Sequence, residues 1–265
     1  MDCGVLRMSS VSTVSSIQFD IRQWAAWAPG LETDEQWRSW ADAPFVPCGE
    51  QVPDVSGVPA MQRRRLNRLT RMAFHVVDRM DHAAELPQIY CSRHGDLLRS
   101  TELLQQIAQQ EPLSSMNFGL SVHNAVAGNI SILQNNTQAM TSVAAGADGI
   151  ACAMIEAVMQ SAETKQDVIL LVYDETVPDV YEFTTLGEPS AAFAFALRIG
   201  QGQNYSLSWP ADWTANSDKE QSAPLSVDAH LPMELQFLAW FLSTGNQSWM
   251  QMSSAGMSWQ WSTCK

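Results

Sequence analysis

Apolar positions along the chain change period several times, and each change marks an element. Ile17, Phe19 and Ile21 alternate with polar residues, the period of a half-buried strand. Trp24 to Gly30 reads as a turn. Thr33 followed by Gln36 is a capping box that opens a short helix carrying Trp37 and Trp40. Pro44, Pro47, Pro53 and Pro59 make residues 42–59 an extended loop. Leu66, Leu69, Ala73, Val76, Val77 and Met80 recur at spacings of three and four, the stripe of one long helix from Met61 to Ala84. Gln88 to Cys91 is a short strand and Leu97 to Gln110 a helix. Phe118 to Val122 reads as a strand running directly into a helix over Asn124 to Leu133. Ala139 to Ala144 is a further strand, Gly146 to Gly149 a turn, and Ile150 to Ala162 a helix. Val168 to Tyr173 is an unbroken apolar run, as in strands buried on both faces. Ala191 to Ile199 and Tyr205 to Trp209 read as strands joined by a Gly-containing turn. Residues 211–229 read as a polar loop, Pro232 to Ser243 as a helix, and the Trp-rich tail as short strands.

The middle of the chain thus alternates strand and helix. That order implies an α/β fold with a mixed, mainly parallel sheet, flanking helices and an antiparallel edge after residue 185. Residues 1–16 read as a disordered lead-in, with Met8 as an alternative start, and 17–265 as a single domain. Ten tryptophans fall in two groups, four between 24 and 40 and six between 209 and 261. Such large rings suit a layer in which the two chain ends pack together over the sheet, or an aromatic partner surface.

Composition narrows the function. Apolar residues make up 46% of the 265, enough for a sizeable core, and charged residues only 16%. A formal net charge of −13 argues against nucleic-acid binding and against docking on anionic lipid. Cys3, Cys48, Cys91, Cys152 and Cys264 are odd in number and scattered, without metal-ligand spacing or a disulfide framework. A reducing, cytoplasmic setting fits them. No apolar run is long enough to predict a membrane span, and no cofactor or metal is expected. The turn at Gly146 to Gly149 lacks the phosphate-loop pattern, and Asp148 there favours a helix start.

The junction Leu120-Ser-Val-His-Asn-Ala-Val-Ala-Gly128 holds the most chemistry. A nucleophile at a strand-to-helix turn is exposed at a helix N-terminus, where free amides stabilise an anion. Several segments resemble the β-ketoacyl synthase-like N-terminal domain family, which includes chain length factors of aryl polyene gene clusters. They are Trp27-Ala-Pro-Gly30, Pro59-Ala-Met-Gln-Arg-Arg-Arg65, Ser92-Arg-His-Gly-Asp96, Ser121-Val-His-Asn-Ala125, Ala144-Ala-Gly146 and Leu171-Val-Tyr-Asp-Glu175. The resemblance runs from about Ile17 to the end. It implies a thiolase-like (ketosynthase-like) fold, of which only the N-terminal half is present. The half that supplies two catalytic histidines in a full synthase is missing.

Aligning on Gly128 puts Ala125 at the nucleophile position, with Asn124 or Val126 one residue either side. None is a thiol or hydroxyl, so no acyl-enzyme can form there. Ser121 and Ser131 lie nearby without an evident base. His123 and Asn124 either brace and cap the turn, or polarise a thioester carbonyl for decarboxylation of a malonyl group, or touch a partner. Cys91 and His94 read as packing rather than as a nucleophilic pair, and Arg93, His94 and Asp96 as a polar network at a strand end. Arg64, Arg68 and Arg71 share a helix face. They are solvated or paired with carboxylates, or they dock an acidic carrier protein or an acidic face of the partner.

The resemblance implies a non-catalytic subunit that heterodimerises with an active β-ketoacyl-ACP synthase and shapes its acyl tunnel. The setting would be aryl polyene, type II fatty-acid or polyketide-like biosynthesis. Leu104, Ile107, Met116, Phe118, Leu120 and Val122 are the expected interface or tunnel-wall residues. A malonyl-carrier decarboxylase and a structural homodimer are the alternatives. A hydrolase or acyltransferase is disfavoured by the lack of a GxSxG pattern.

Overall fold

The computed structural model describes residues 14–181, 189–210, 230–243, 248–252 and 257–264. The expected loop at 211–229 and the lead-in up to residue 13 lie outside them. The elements in order are β1 (Val14–Trp27), α1 (Asp34–Asp42), α2 (Ala60–Arg63), α3 (Arg68–Asp78), β2 (Gln88–Cys91), α4 (Leu97–Ala108), α5 (Ser115–Gly119) and α6 (Ala125–Gln134). Then come β3 (Met140–Val143), α7 (Gly149–Thr164), β4 (Val168–Asp174), β5 (Phe193–Pro210), α8 (Met233–Leu242), β6 (Ser248–Met252) and β7 (Ser258–Thr263).

Seven strands form one mixed sheet in the order β3-β2-β4-β5-β7-β6, with β1 on the other side of β5. Only β2–β3 and β2–β4 are parallel. The β1–β5, β4–β5, β5–β7 and β6–β7 pairs are antiparallel, so the sheet is mixed, with β5 and β6 running against the other five strands. Parallel pairing needs a crossover, and α4 to α6 between β2 and β3 and α7 between β3 and β4 supply it.

Side chains alternate between two cores. Val168, Leu170 and Val172 of β4 face one with α1, α7 and α8, while Ile169, Leu171 and Tyr173 face the other with α3 and α6. Burial of all seven β4 residues matches the unbroken apolar run. The first core also takes Trp37, Trp40, Trp240, Trp249, Trp259 and Trp261, and α1 packs on α8. The two chain ends therefore meet in one aromatic layer. Trp27 is the exception and points into the second core.

Local chemistry overrides the pattern at four places. The stripe from Met61 to Ala84 is not one helix. The Asn67 side chain accepts from Thr70 N and starts α3 afresh, and α3 ends before His82 takes a left-handed conformation. β1 begins at Val14, so Val14 to Ser16 belong to the sheet, and it runs through Trp24 to Trp27; the turn there is confined to the Ala28–Leu31 bridge. The expected turn between two late strands is a wide bulge within one 18-residue strand, β5. Phe19 pairs Tyr205 and Asp20 pairs Gly200, which leaves Gln201 to Asn204 without partners on β1. The Asp20 carboxylate fills that gap and accepts from Asn204 N at 3.0 Å; a Cβ on Gly202 would stand 1.9 Å from Asp20 Cγ. Finally, Phe118 to Val122 is not a strand. Ser114 caps α5 by accepting from Asn117 N, and Ser121 Oγ donates to Phe118 O, closing a helical turn. No helix among the described residues is long and apolar enough to cross a membrane.

Candidate functional site

Ala125 consequently opens a helix that follows another helix, not a strand. One strand-to-helix junction at the carboxyl end of the parallel strands lies elsewhere, between β3 and α7. Ligands in open α/β sheets bind at this end of the strands. The junction reads Ala144-Ala-Gly-Ala-Asp-Gly149, a run without thiol or hydroxyl. Gly146 turns it with φ of 56°, a left-handed conformation that disfavours any Cβ.

The C-terminal hairpin covers this junction. Gln251 Nε2 donates to Ala147 O at 2.7 Å, and Gln251 Oε1 accepts from Trp261 Nε1 at 3.2 Å. Trp259 Nε1 donates to Asp148 Oδ1 at 2.7 Å, so the Asp148 carboxylate holds the hairpin and leaves the helix start uncapped by a side chain. Gln251, Trp259 and Trp261 are all buried. A side chain at Gly149 would meet Cys91 Sγ at 3.3 Å and Glu234 Oε1 at 3.6 Å.

Beside it lies a group of buried acids. Asp174, the last residue of β4, accepts from Ser92 Oγ at 2.7 Å and from the amides of Arg93 and His94 at 3.0 and 3.3 Å. Burial pushes its carboxyl up, and these donors partly offset that. Glu234, in the first turn of α8, is pushed up to about 7, by burial first and then by the Asp174 charge. Partial burial lowers the His94 pKa; Asp174 opposes this and Arg93 adds to it. Arg93, His94, Asp174 and Glu234, with Glu175, Ser190, Ala191 and Phe193, line a cavity of about 20 Å³, room for roughly one water.

Cys91 is buried, and desolvation raises its pKa further than the charges of Glu234 and Asp174 do. The thiol stays protonated and is a packing group. In the expected polar network, Arg93 and His94 join through their backbone amides. Asp96 belongs to a separate set with Asn67 and Arg99. His123 Nε2–H donates to Ser92 O at 2.9 Å and packs 3.1 Å from where a Gly95 Cβ would stand, so it braces the Ser92–Gly95 turn. Asn124 sits at the start of α6 but its side chain makes no cap bond, a correction to the expected cap.

The three arginines do not form one free face. Arg68 pairs with Glu175 at 3.0 Å and donates to Gly49 O and Gln51 O. Arg71 donates to Leu66 O and Arg63 O, closing the end of α2. Arg64 is exposed. The break between α2 and α3 is what separates them. In contrast, Leu104, Ile107, Met116, Phe118 and Val122 are all exposed and Leu120 half-buried, gathered on α4, α5 and the turn before α6. Asp174, Glu234, Gln251 and Trp259 were missed from the sequence. Only Asp174 left a signal there, as the first charge after a buried strand.

A model of the β-ketoacyl synthase N-terminal domain matches residues 37–262. A chain in the structure of a ketosynthase in complex with its chain length factor from Xenorhabdus doucetiae is 30% identical. That match covers 93% of this chain and 99% of that one, with a TM-score of 0.76. The ishigamide ketosynthase/chain length factor (15% identity, TM-score 0.57) matches over 72% of this chain and 65% of its own. A β-ketoacyl synthase from Burkholderia phymatum (13%, 0.53) matches over 70% and 59%. These last two share the fold, and this chain spans less than two thirds of either. No curated protein matches. The fold is thus the thiolase-like ketosynthase fold, and the chain belongs to the β-ketoacyl synthase N-terminal domain family.

Proposed function

We propose that this chain is the non-catalytic, chain-length-factor-type subunit of a heterodimer with an active β-ketoacyl synthase acting on carrier-bound acyl chains. Eight of the fifteen exposed large apolar side chains among the described residues lie between Leu98 and Ile132, and this concentration carries the reading. Apolar side chains gathered on one surface mark an interaction site. β3 is an edge strand that pairs only β2 among the described residues and has no charge or proline to discourage pairing. Met159 on α7 is exposed next to Gln160, whose Nε2 donates to Thr141 on β3. A partner sheet adding at this edge would meet apolar flanks.

Three observations favour a silent subunit. The β3–α7 junction, where the fold would present a nucleophile, carries Gly146 and is covered by the tail. Cys91 stays protonated in the core. The 30% identical relative comes from a ketosynthase–chain length factor complex and matches over nearly its whole length. On this reading Leu104, Ile107, Met116 and Phe118 wall the partner's acyl tunnel and limit chain growth, while most carrier docking falls to the partner.

Co-purification with the cognate synthase tests the pairing. A one-to-one complex by mass is expected, and Phe118→Asp should abolish it while leaving the melting temperature unchanged. A stable monomer with no affinity for that synthase overturns the proposal. Release of carbon dioxide from malonyl-carrier protein by the isolated chain, lost on His123→Ala, would favour the decarboxylase instead.

A further inference from the structure

The apolar residues of α5 lack a core beneath them. α5 has five residues and none is buried, although Met116 and Phe118 are 60% and 64% exposed. A helix this short does not persist by its own hydrogen bonds. Beyond the Ser114 cap, a chain of side chains ties it to the interior. Asn67 Oδ1 accepts from Thr70 N and Thr70 Oγ1 at the start of α3, and its Nδ2 donates to Asp96 Oδ2 at 2.6 Å. Asp96 Oδ1 caps α4 by accepting from Arg99 N at 3.1 Å, and Asp96 Oδ2 accepts from Arg99 Nε at 2.8 Å. Arg99 Nη1 then donates to Asn117 Oδ1 at 3.2 Å, between Met116 and Phe118. One planar guanidinium thus spans two acceptors on different elements, which a lysine ammonium cannot reproduce in the same geometry.

We propose that Arg99 is the positioning residue of the partner interface: it fixes α5 so that Met116 and Phe118 present a preformed apolar knob to the synthase subunit. This rests on the heterodimer reading above. Preformed contacts bind more tightly because ordering is already done. Arg99→Lys retains the charge beside Asp96 and loses the reach to Asn117. Affinity for the synthase subunit should fall about tenfold, with the melting temperature within a few degrees of the parent. Asn117→Ala should cost the same, and the double variant no more than either single one, since both remove one link. Asn117→Asp retains an acceptor for Arg99 and should restore parental affinity.

Parental affinity for Arg99→Lys and Asn117→Ala, beside loss of binding in Phe118→Asp, would overturn the positioning role and leave the pairing intact. Parental affinity for Phe118→Asp as well would overturn the pairing itself. Additive losses in the double variant would show two independent contributions and also refute the link.

Discussion

Glu234→Gln should remove one distinct component of the pH dependence of stability. The Glu234 side chain is buried in the first turn of α8, close to Asp174, and its carboxyl is raised from 4.5 to about 7. The native state therefore holds this proton more tightly than the unfolded chain does. The stability that the protonated acid allows is fully present below about 4.5. It is lost as pH rises through about 7, and above that the loss is constant. At about 1.4 kcal/mol per pH unit the span is worth roughly 3 kcal/mol. In a chain of this size that corresponds to about 6–12 °C in melting temperature. Glutamine has the shape of the protonated acid and cannot ionise, so it removes the loss. Calorimetric melting of both proteins from pH 4.5 to 8.5 is the assay. The difference between them should be near zero at pH 4.5, open in favour of the glutamine variant through pH 7, and stay constant beyond. Other carboxylates titrate in both proteins and cancel in the difference. Parallel curves, or a gap that narrows with rising pH, would refute the assignment of a buried neutral acid.

Two further substitutions test the scaffold around the site. Asp167 is buried and accepts from Arg22 Nη1 and Arg198 Nε, at 2.9 and 2.7 Å. Asp167→Ala strands both guanidiniums; because Arg22 is half exposed, the loss should be about 2 kcal/mol, seen as a lower urea midpoint with unchanged slope. Gln251→Leu keeps the volume but orphans Trp261 Nε1 and Ala147 O. That should cost about 2–4 kcal/mol and shift the fluorescence of the buried tryptophans, whereas a stabilised variant would show that the seal over Gly146 is not held by these bonds.

The elements read correctly from the sequence were those whose signal is local and whose burial is internal. β4 is apolar throughout because both its faces are covered, and Thr33 and Gln36 complete the capping box they announce. The failures have physical reasons. One stripe from Leu66 to Met80 spans a helix break because the residues on both sides of Asn67 still face the same core. The late turn disappears because β1 holds β5 across the bulge, a long-range pairing that periodicity does not register. The junction between β3 and α7 is alanine and glycine apart from Asp148, which reads from the sequence only as a helix start. The groups that surround it, Glu234, Gln251 and Trp259, come from a hundred residues away.

The misreading of Phe118 to Val122 bears directly on function. Period-two apolar residues imply a strand only if apolar side chains are buried within their own chain. Here they are largely exposed, in a helix end and a turn. A folded monomer gains nothing by leaving Phe118 in water, whereas an interface gains from every such group it covers. Two parts of the surface are treated in opposite ways. Around Gly146 the chain covers the junction with its own tail and buries the side chains that do so. At the outer edge of β3, unpaired among the described residues, and on α4 and α5, with their exposed apolar residues, it provides no cover of its own. The distribution of burial therefore supports the proposed pairing through a feature separate from the residue at the nucleophile position.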